Sequence, residues 1–204
     1  QKAEAYAKPE DIKQYIGEAY FFRAYSYFDL LQLYGDVIIT KKPLDITDPE
    51  MKVKRNDRSE VVDLIIDDLN HAVENLPAFK ELTTEEEGRI SKEGAQAFLS
   101  RVALYEGTWQ KSRNGNQNTQ RSANLLDIAA KAARTVIDAK YGYTFRLFGT
   151  DSETKILGDS AQKYMFILEN EKSNPAGIKK SSNHEYIFAR RHDQVLASIG
   201  KNIT

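Results

Sequence analysis

Cysteine is absent from the 204 residues. Thiol catalysis, disulfide cross-links and cysteine-ligated zinc are therefore excluded, and the redox compartment stays open. Histidine is scarce too: His71, His184 and His192 are the only three, and no metal-ligand spacing relates them. No apolar run approaches the ~20 residues of a membrane span, and no signal peptide opens the chain. Charge of one sign is not in excess. The 29 basic and 30 acidic residues leave a net −1, which offers no electrostatic attraction to nucleic acid or an anionic membrane. Gly-rich phosphate loops, nucleophile elbows and HExxH motifs are missing as well. The sequence therefore points to no cofactor and to no enzyme.

What is present is helical periodicity. Hydrophobic residues make up 41% of a chain long enough for one domain with its own core or two small ones. The N-terminal "QKAEAYAKPEDIKQ" reads as the interior of a helix, and "LASIGKNIT" carries no closing signal. The expectation is a piece of a longer chain. A first helix runs from about Pro9, a favoured first-turn residue, to Gly35, a favoured stop. Gln14, Glu18, Asp29 and Gln32 share an arc of about 60° on it. Almost everything else is apolar, including seven rings between Tyr20 and Tyr34, so it is expected to be buried on most sides with its rings mostly in the core.

A second helix, about Ser59 to Leu76, has Asn56, Asp57 and Ser59 as candidate caps and an apolar stripe from Val61 to Leu76. Ser91 caps a third, where Ala95, Phe98, Leu99, Val102 and Tyr105 face one way. The polar stretch 111–122 reads as a loop. A fourth helix turns Leu125, Ile128, Ala129, Ala132, Val136 and Ile137 inward until "KYGY" ends it.

Two helix pairs of this size predict an all-α fold of tetratricopeptide-like stacked pairs with long loops at 36–58 and 109–121. Residues 1–140 form the scaffold, and 141–204 a less regular extension of the same domain. Within the extension "DSAQKYMFILEN" is a candidate short helix. The alternation of "HEYIFARR" allows a minor β segment near 184–190.

Few residues compete for a functional role. Glu85, Glu86 and Glu87 are adjacent on a polar connector, whereas catalytic carboxylates must face each other across a cleft. Trp109, the one tryptophan, stands where the third helix runs into polar residues. It is the candidate ligand contact, by stacking on a sugar or peptide. The plainer reading is a ring that seals the end of the helix pair. Arg23 sits opposite the polar arc of the first helix, among Ile16, Ala19, Tyr27 and Leu30. A guanidinium buried there requires a counter-charge. Asp68, about 20° outside the apolar stripe of the second helix, is the expected partner in a structural ion pair that fixes the register of the first helix pair.

The blocks in which these residues lie resemble the SusD/RagB family. "GEAYFFRAYSYFDLLQLYGDV" (17–37) looks like its signature helix. "RNDRSEVVDLIIDDLNHAVENLP" (55–77), "GRISKEGAQAFLSRVALYEGTW" (88–109), "AAKAARTVIDAKYGYTF" (129–145) and "NHEYIFARRHD" (183–193) follow in family-like order. The resemblance covers almost the whole chain. It implies a lipid-anchored protein of the outer-membrane surface that captures oligosaccharides or polysaccharides, in some branches peptides. It also implies a SusC-like TonB-dependent transporter as partner, and no catalysis.

Measured against that family, the signal peptide, lipidated cysteine, opening helices and a large C-terminal part are expected to lie outside this sequence. No ligand residue carries over by motif. The 36–58 loop and Trp109 are the binding candidates because polar connectors over a rigid scaffold are where binding residues gather. The rival reading is a tetratricopeptide-like scaffold that binds a protein or peptide. It requires exposed Lys, Arg and Asn on inner helix faces that here look apolar.

Overall fold

A computed structural model describes residues 8–83, 86, 88–113, 119–168 and 172–189. The helical reading of residues before Lys8, the carboxylates Glu85 and Glu87, and His192 lie outside them. The chain divides into two compact units, 1–77 with 90–134, and 78–89 with 135–204.

The first unit is built from long helices: α1 (Pro9–Tyr34), α2 (Arg58–Asn75), α3 (Lys92–Arg113) and most of α4 (Thr119–Ile137). Pro9 occupies the first turn of α1, where a missing N–H costs nothing. Gly35 ends the helix at φ 72°, a conformation that other residues adopt at a cost. Asp57 caps α2 in a reciprocal box with Glu60, and the Ser91 hydroxyl accepts the Gly94 N–H at the start of α3.

Phe21, Ala24, Phe28 and Leu31 of α1 pack with Val61, Ile65, Leu69 and Ala72 of α2, and with Ala95, Leu99 and Val102 of α3, in one core. Gly17 leaves no room for a side chain: a Cβ there would come within 2.9 Å of Leu76 Cγ and 3.0 Å of its backbone nitrogen. α3 and α4 approach closely enough for serine hydroxyls to cross between them, Ser100 to Ala129 O at 2.9 Å and Ser122 to Gly107 O at 2.8 Å.

Three expectations about the long helices are corrected. The rings of α1 are not mostly core. Phe21, Tyr27 and Phe28 are buried, whereas Phe22 (51% exposed), Tyr25 and Tyr34 face outward beside Tyr15 and Leu33. The helix is apolar around most of its circumference, but only one side meets α2 and α3. The loop at 111–122 is shorter than its polarity suggested, because α3 continues to Arg113 and α4 begins at Thr119; helix-compatible Lys, Arg and Gln extend both ends. Ile137 is exposed at the last turn of α4.

The second unit is less regular. Phe148, Leu157, Ala161, Leu168 and Ile178 form its small core, around the short helix α5 (Ala161–Met165). Phe79, Tyr143 and Phe145 make a separate ring cluster, with the Phe79 and Tyr143 centroids 4.5 Å apart. The minor β segment near 184–190 is not formed at 184–189. Instead the Glu185 carboxylate accepts the Phe148 N–H (2.8 Å) and the His184 carbonyl accepts the Arg146 N–H (3.1 Å). A side chain thus takes a donor that a strand ladder would have used.

Asp151 organises the turn before α5. Its Oδ1 accepts the N–H groups of Glu153 (2.9 Å) and Thr154 (2.8 Å). Burial pushes this carboxyl up, but the Thr154 and Glu153 donors and the nearby His184 outweigh it and hold it below the usual carboxylate range. The turn's stabilisation is therefore complete above the unfolded carboxylate pKa of about 3.9 and is lost as pH falls through the lower folded value. An NMR titration of Asp151 with its midpoint below that of an unfolded aspartate is expected; a midpoint above it contradicts the assignment.

Candidate functional site

The connector between α1 and α2 is pinned at several points. Asn56 donates its N–H to the Val37 carbonyl (2.9 Å), forming one isolated antiparallel bridge. The Asn56 side-chain oxygen accepts the Ile39 N–H (2.9 Å), and the Asp36 carboxylate accepts the Arg58 N–H (2.9 Å). From the core, the Tyr27 hydroxyl accepts the Thr40 N–H at 2.7 Å. A buried ring of the signature helix therefore fixes a surface segment, because its hydroxyl is the only polar atom on an otherwise apolar body.

Held this way, residues 39–42 form one wall of an open groove of about 990 Å³, with the outward face of α2 as the other wall. Ile39 and Leu64 are its apolar lining; Lys41, Lys42, Asn56, Glu60, Asp63 and Asp67 supply its polar groups. A second groove of about 650 Å³ lies between α2 and α4 and shares Asp63 and Asp67 with the first. Its other polar groups are Asn70, Gln120, Arg121 and Asn124. Arg121 spans the wall from α4, donating to Asp63 Oδ1 (2.8 Å) and to the Ser59 carbonyl (3.0 Å). Such surfaces can exchange many hydrogen bonds with a polyhydroxylated ligand.

Arg23 and Asp68 meet in a two-pronged contact, Nε to Oδ2 at 2.7 Å and Nη2 to Oδ1 at 2.6 Å. Asp68 is the fully buried member; the Arg23 side chain is 34% exposed. The hydrogen bond to Asp68 raises the guanidinium further above its already high pKa, against the opposing effect of burial. Trp109 is half-buried. The guanidinium carbons of Arg58 and Arg113 stand 4.3 and 4.5 Å from the centre of its ring system, and Tyr105 stacks beside it. The geometry brings Trp109 to neither groove. His71 stacks on Tyr20 with centroids 5.0 Å apart. Among the described residues, no group of three His, Asp or Glu is placed to hold a metal ion.

Sequence reasoning passed over Glu106. It is fully buried on α3, where both carboxylate oxygens accept from Arg58 Nε (3.2 and 2.9 Å) and Oε1 accepts from Gln110 (2.6 Å). The signal was available: at 100° per residue, Glu106 falls within the arc of Ala95, Leu99 and Val102, where a carboxylate needs a partner. Tyr27 gave no comparable signal, since nothing local marks which hydroxyl will meet a distant backbone.

The comparisons with known proteins agree with this architecture. The model of the SusD-like family, described as starch-binding and associating with the outer membrane, matches residues 2–104. The SusD-like protein P38 of Formosa agariphila is 37% identical over 93 residues, which are 45% of this chain and 17% of that protein. A SusD-like protein of Bacteroides fragilis superposes with a TM-score of 0.63 at 26% identity, over 90% of this chain and 28% of its own. A laminarin-binding SusD-like protein gives 0.53 at 25% identity, over 76% and 31%. The chain thus spans less than a third of each of these relatives. With the signature helix, its capped partner and the first half of the third helix inside the matched region, the chain belongs to the SusD-like family.

Proposed function

We propose that this chain is the helical-repeat part of a surface-exposed, non-catalytic glycan-binding component of a SusC/SusD-like nutrient uptake system. The observation that carries the reading is family membership, together with a laminarin-binding relative of the same helical architecture. The helical first unit holds the polar connectors, and binding uses hydrogen bonds and stacking without bond-making. The 36–58 connector is the principal ligand-facing element, since it walls the larger groove. Trp109 is a secondary contact: a sugar would stack on it by displacing the exposed Arg113 side chain.

The partner in this proposal is a SusC-like TonB-dependent transporter, and the location is the outer-membrane surface through a lipid anchor. No helix among the described residues is long and apolar enough to cross a membrane. The test is calorimetric titration with neutral and acidic oligosaccharides, accompanied by an assay for new reducing ends. Binding without new reducing ends is expected. Cleavage, or no binding to any glycan of the panel, overturns the reading.

A further inference from the structure

The two grooves beside α2 share Asp63 and Asp67 and so adjoin across one helix face. Most of their charges are already satisfied within the protein. Lys42 Nζ meets Asp48 at 3.2 Å and Asp63 meets Arg121 at 2.8 Å. Glu60 accepts from Asn56 Nδ2 (3.1 Å) and from the Asp57 N–H (3.2 Å). Lys41 makes no ion pair among the described residues, and the Asp67 carboxylate, 67% exposed, has only His71 at 3.6 Å. One open cation and one open anion remain: Lys41 lines the first groove alone, whereas Asp67 stands on the rim that both grooves share. No aromatic ring lines either groove among the described residues, so the faces of sugar rings find no stacking platform there.

What the grooves do present is a line of acceptors and amides. Asp63 and Asp67 lie one helical turn apart on the shared rim. The two oxygens of a carboxylate can take two adjacent hydroxyl donors together, while Asn70, Gln120 and Asn124 both donate and accept. We propose that a neutral glycan chain crosses α2 edge-on over Asp63 and Asp67, held by its hydroxyl edges, and that chains bearing uronate or sulfate groups are rejected there by the open Asp67 carboxylate. This rests on the glycan-binding reading above and adds to it the place of binding and the charge class of the ligand. Tyr27 and Asn56, which hold the 39–42 wall, are positioning residues for the crossing.

The experiment titrates the full chain with laminarihexaose and with a hexameric galacturonide at low and moderate salt. Asp67→Ala and Asp67→Asn are compared with the unaltered protein; circular dichroism checks that their fold is kept. Losing a hydrogen-bonded carboxylate is expected to weaken laminarihexaose binding by about tenfold in Asp67→Ala. The galacturonide is expected to bind several-fold more weakly than the neutral hexamer at low salt, a gap that closes as salt rises and narrows in Asp67→Asn. If laminarihexaose binds the unaltered protein and Asp67→Ala equally well, the crossing over α2 is wrong while the glycan-binding reading stands. Equal or tighter binding of the galacturonide at low salt overturns the charge selection alone. No binding of either hexamer or of any other glycan removes both.

Discussion

Replacing Glu106 by alanine is expected to destabilise the first unit by about 3–5 kcal/mol, the usual cost of stranding one member of a buried ion pair. Arg58 is the stranded group. Its side chain is only 13% exposed, it is held by Glu106 through Nε and through Nη2 at 2.8 Å, and its Nη1 reaches the Leu31 carbonyl at 3.3 Å. It also lies at the first position of α2, against Trp109. Loss of the carboxylate therefore disturbs three helices at once. The single tryptophan makes the measurement direct, because denaturant unfolding followed by Trp109 fluorescence reports on this cluster. Joint replacement of Arg58 and Glu106 by apolar residues of similar volume is expected to recover much of the loss, since neither desolvated charge remains. A cost below about 1 kcal/mol for Glu106→Ala would show that Arg58 finds water or another acceptor.

The second large effect is expected at Arg23 and Asp68. Here the buried partner is the acid, and a third of the arginine side chain already touches solvent. Asp68→Ala lets Arg23 swing outward, so the expected loss is smaller, about 1–3 kcal/mol for a charge-assisted, two-pronged contact. Arg23→Ala is the harsher change because it leaves a buried carboxylate without its donors. The proposed role in fixing the register of α1 against α2 predicts a coupling energy of at least about 1 kcal/mol in a double-mutant cycle. A coupling near zero means that packing around Leu31 and Leu69 alone sets the register. In that case the pair is a consequence of the fold and not a determinant of it.

The asymmetry between these two pairs shows what could be read from residues alone. Arg23 and Glu106 each interrupt an apolar arc, and the arc by itself says that each needs a counter-charge. It does not say how deeply either will be buried. On a helical wheel Arg23 looked like the buried charge. The structure buries Asp68 and lets the longer guanidinium side chain reach the surface, as long cationic side chains commonly do. The same limit explains the rings of α1. Their spacing established a helix apolar on nearly every side, but exposure depends on how many neighbours arrive. Among the described residues α2 and α3 pack against one side of α1, and Phe22, Tyr25 and Tyr34 are exposed.

Local chemistry, then, determined the helices, most of their caps, the core stripe of α2 and the family, because each of these depends on residues a few positions apart. The grooves depend on contacts across the chain. Tyr27 reaches Thr40, Asn56 reaches Val37 and Ile39, and Arg121 reaches Asp63 from a helix 58 residues away. No period of 3.6 residues encodes which hydroxyl meets which backbone amide, since that pairing follows from the angle at which packed helices carry their connectors back over one another. Tertiary structure alone decided that the 36–58 connector would become the wall of a groove and that the outward acids of α2 would become its rim.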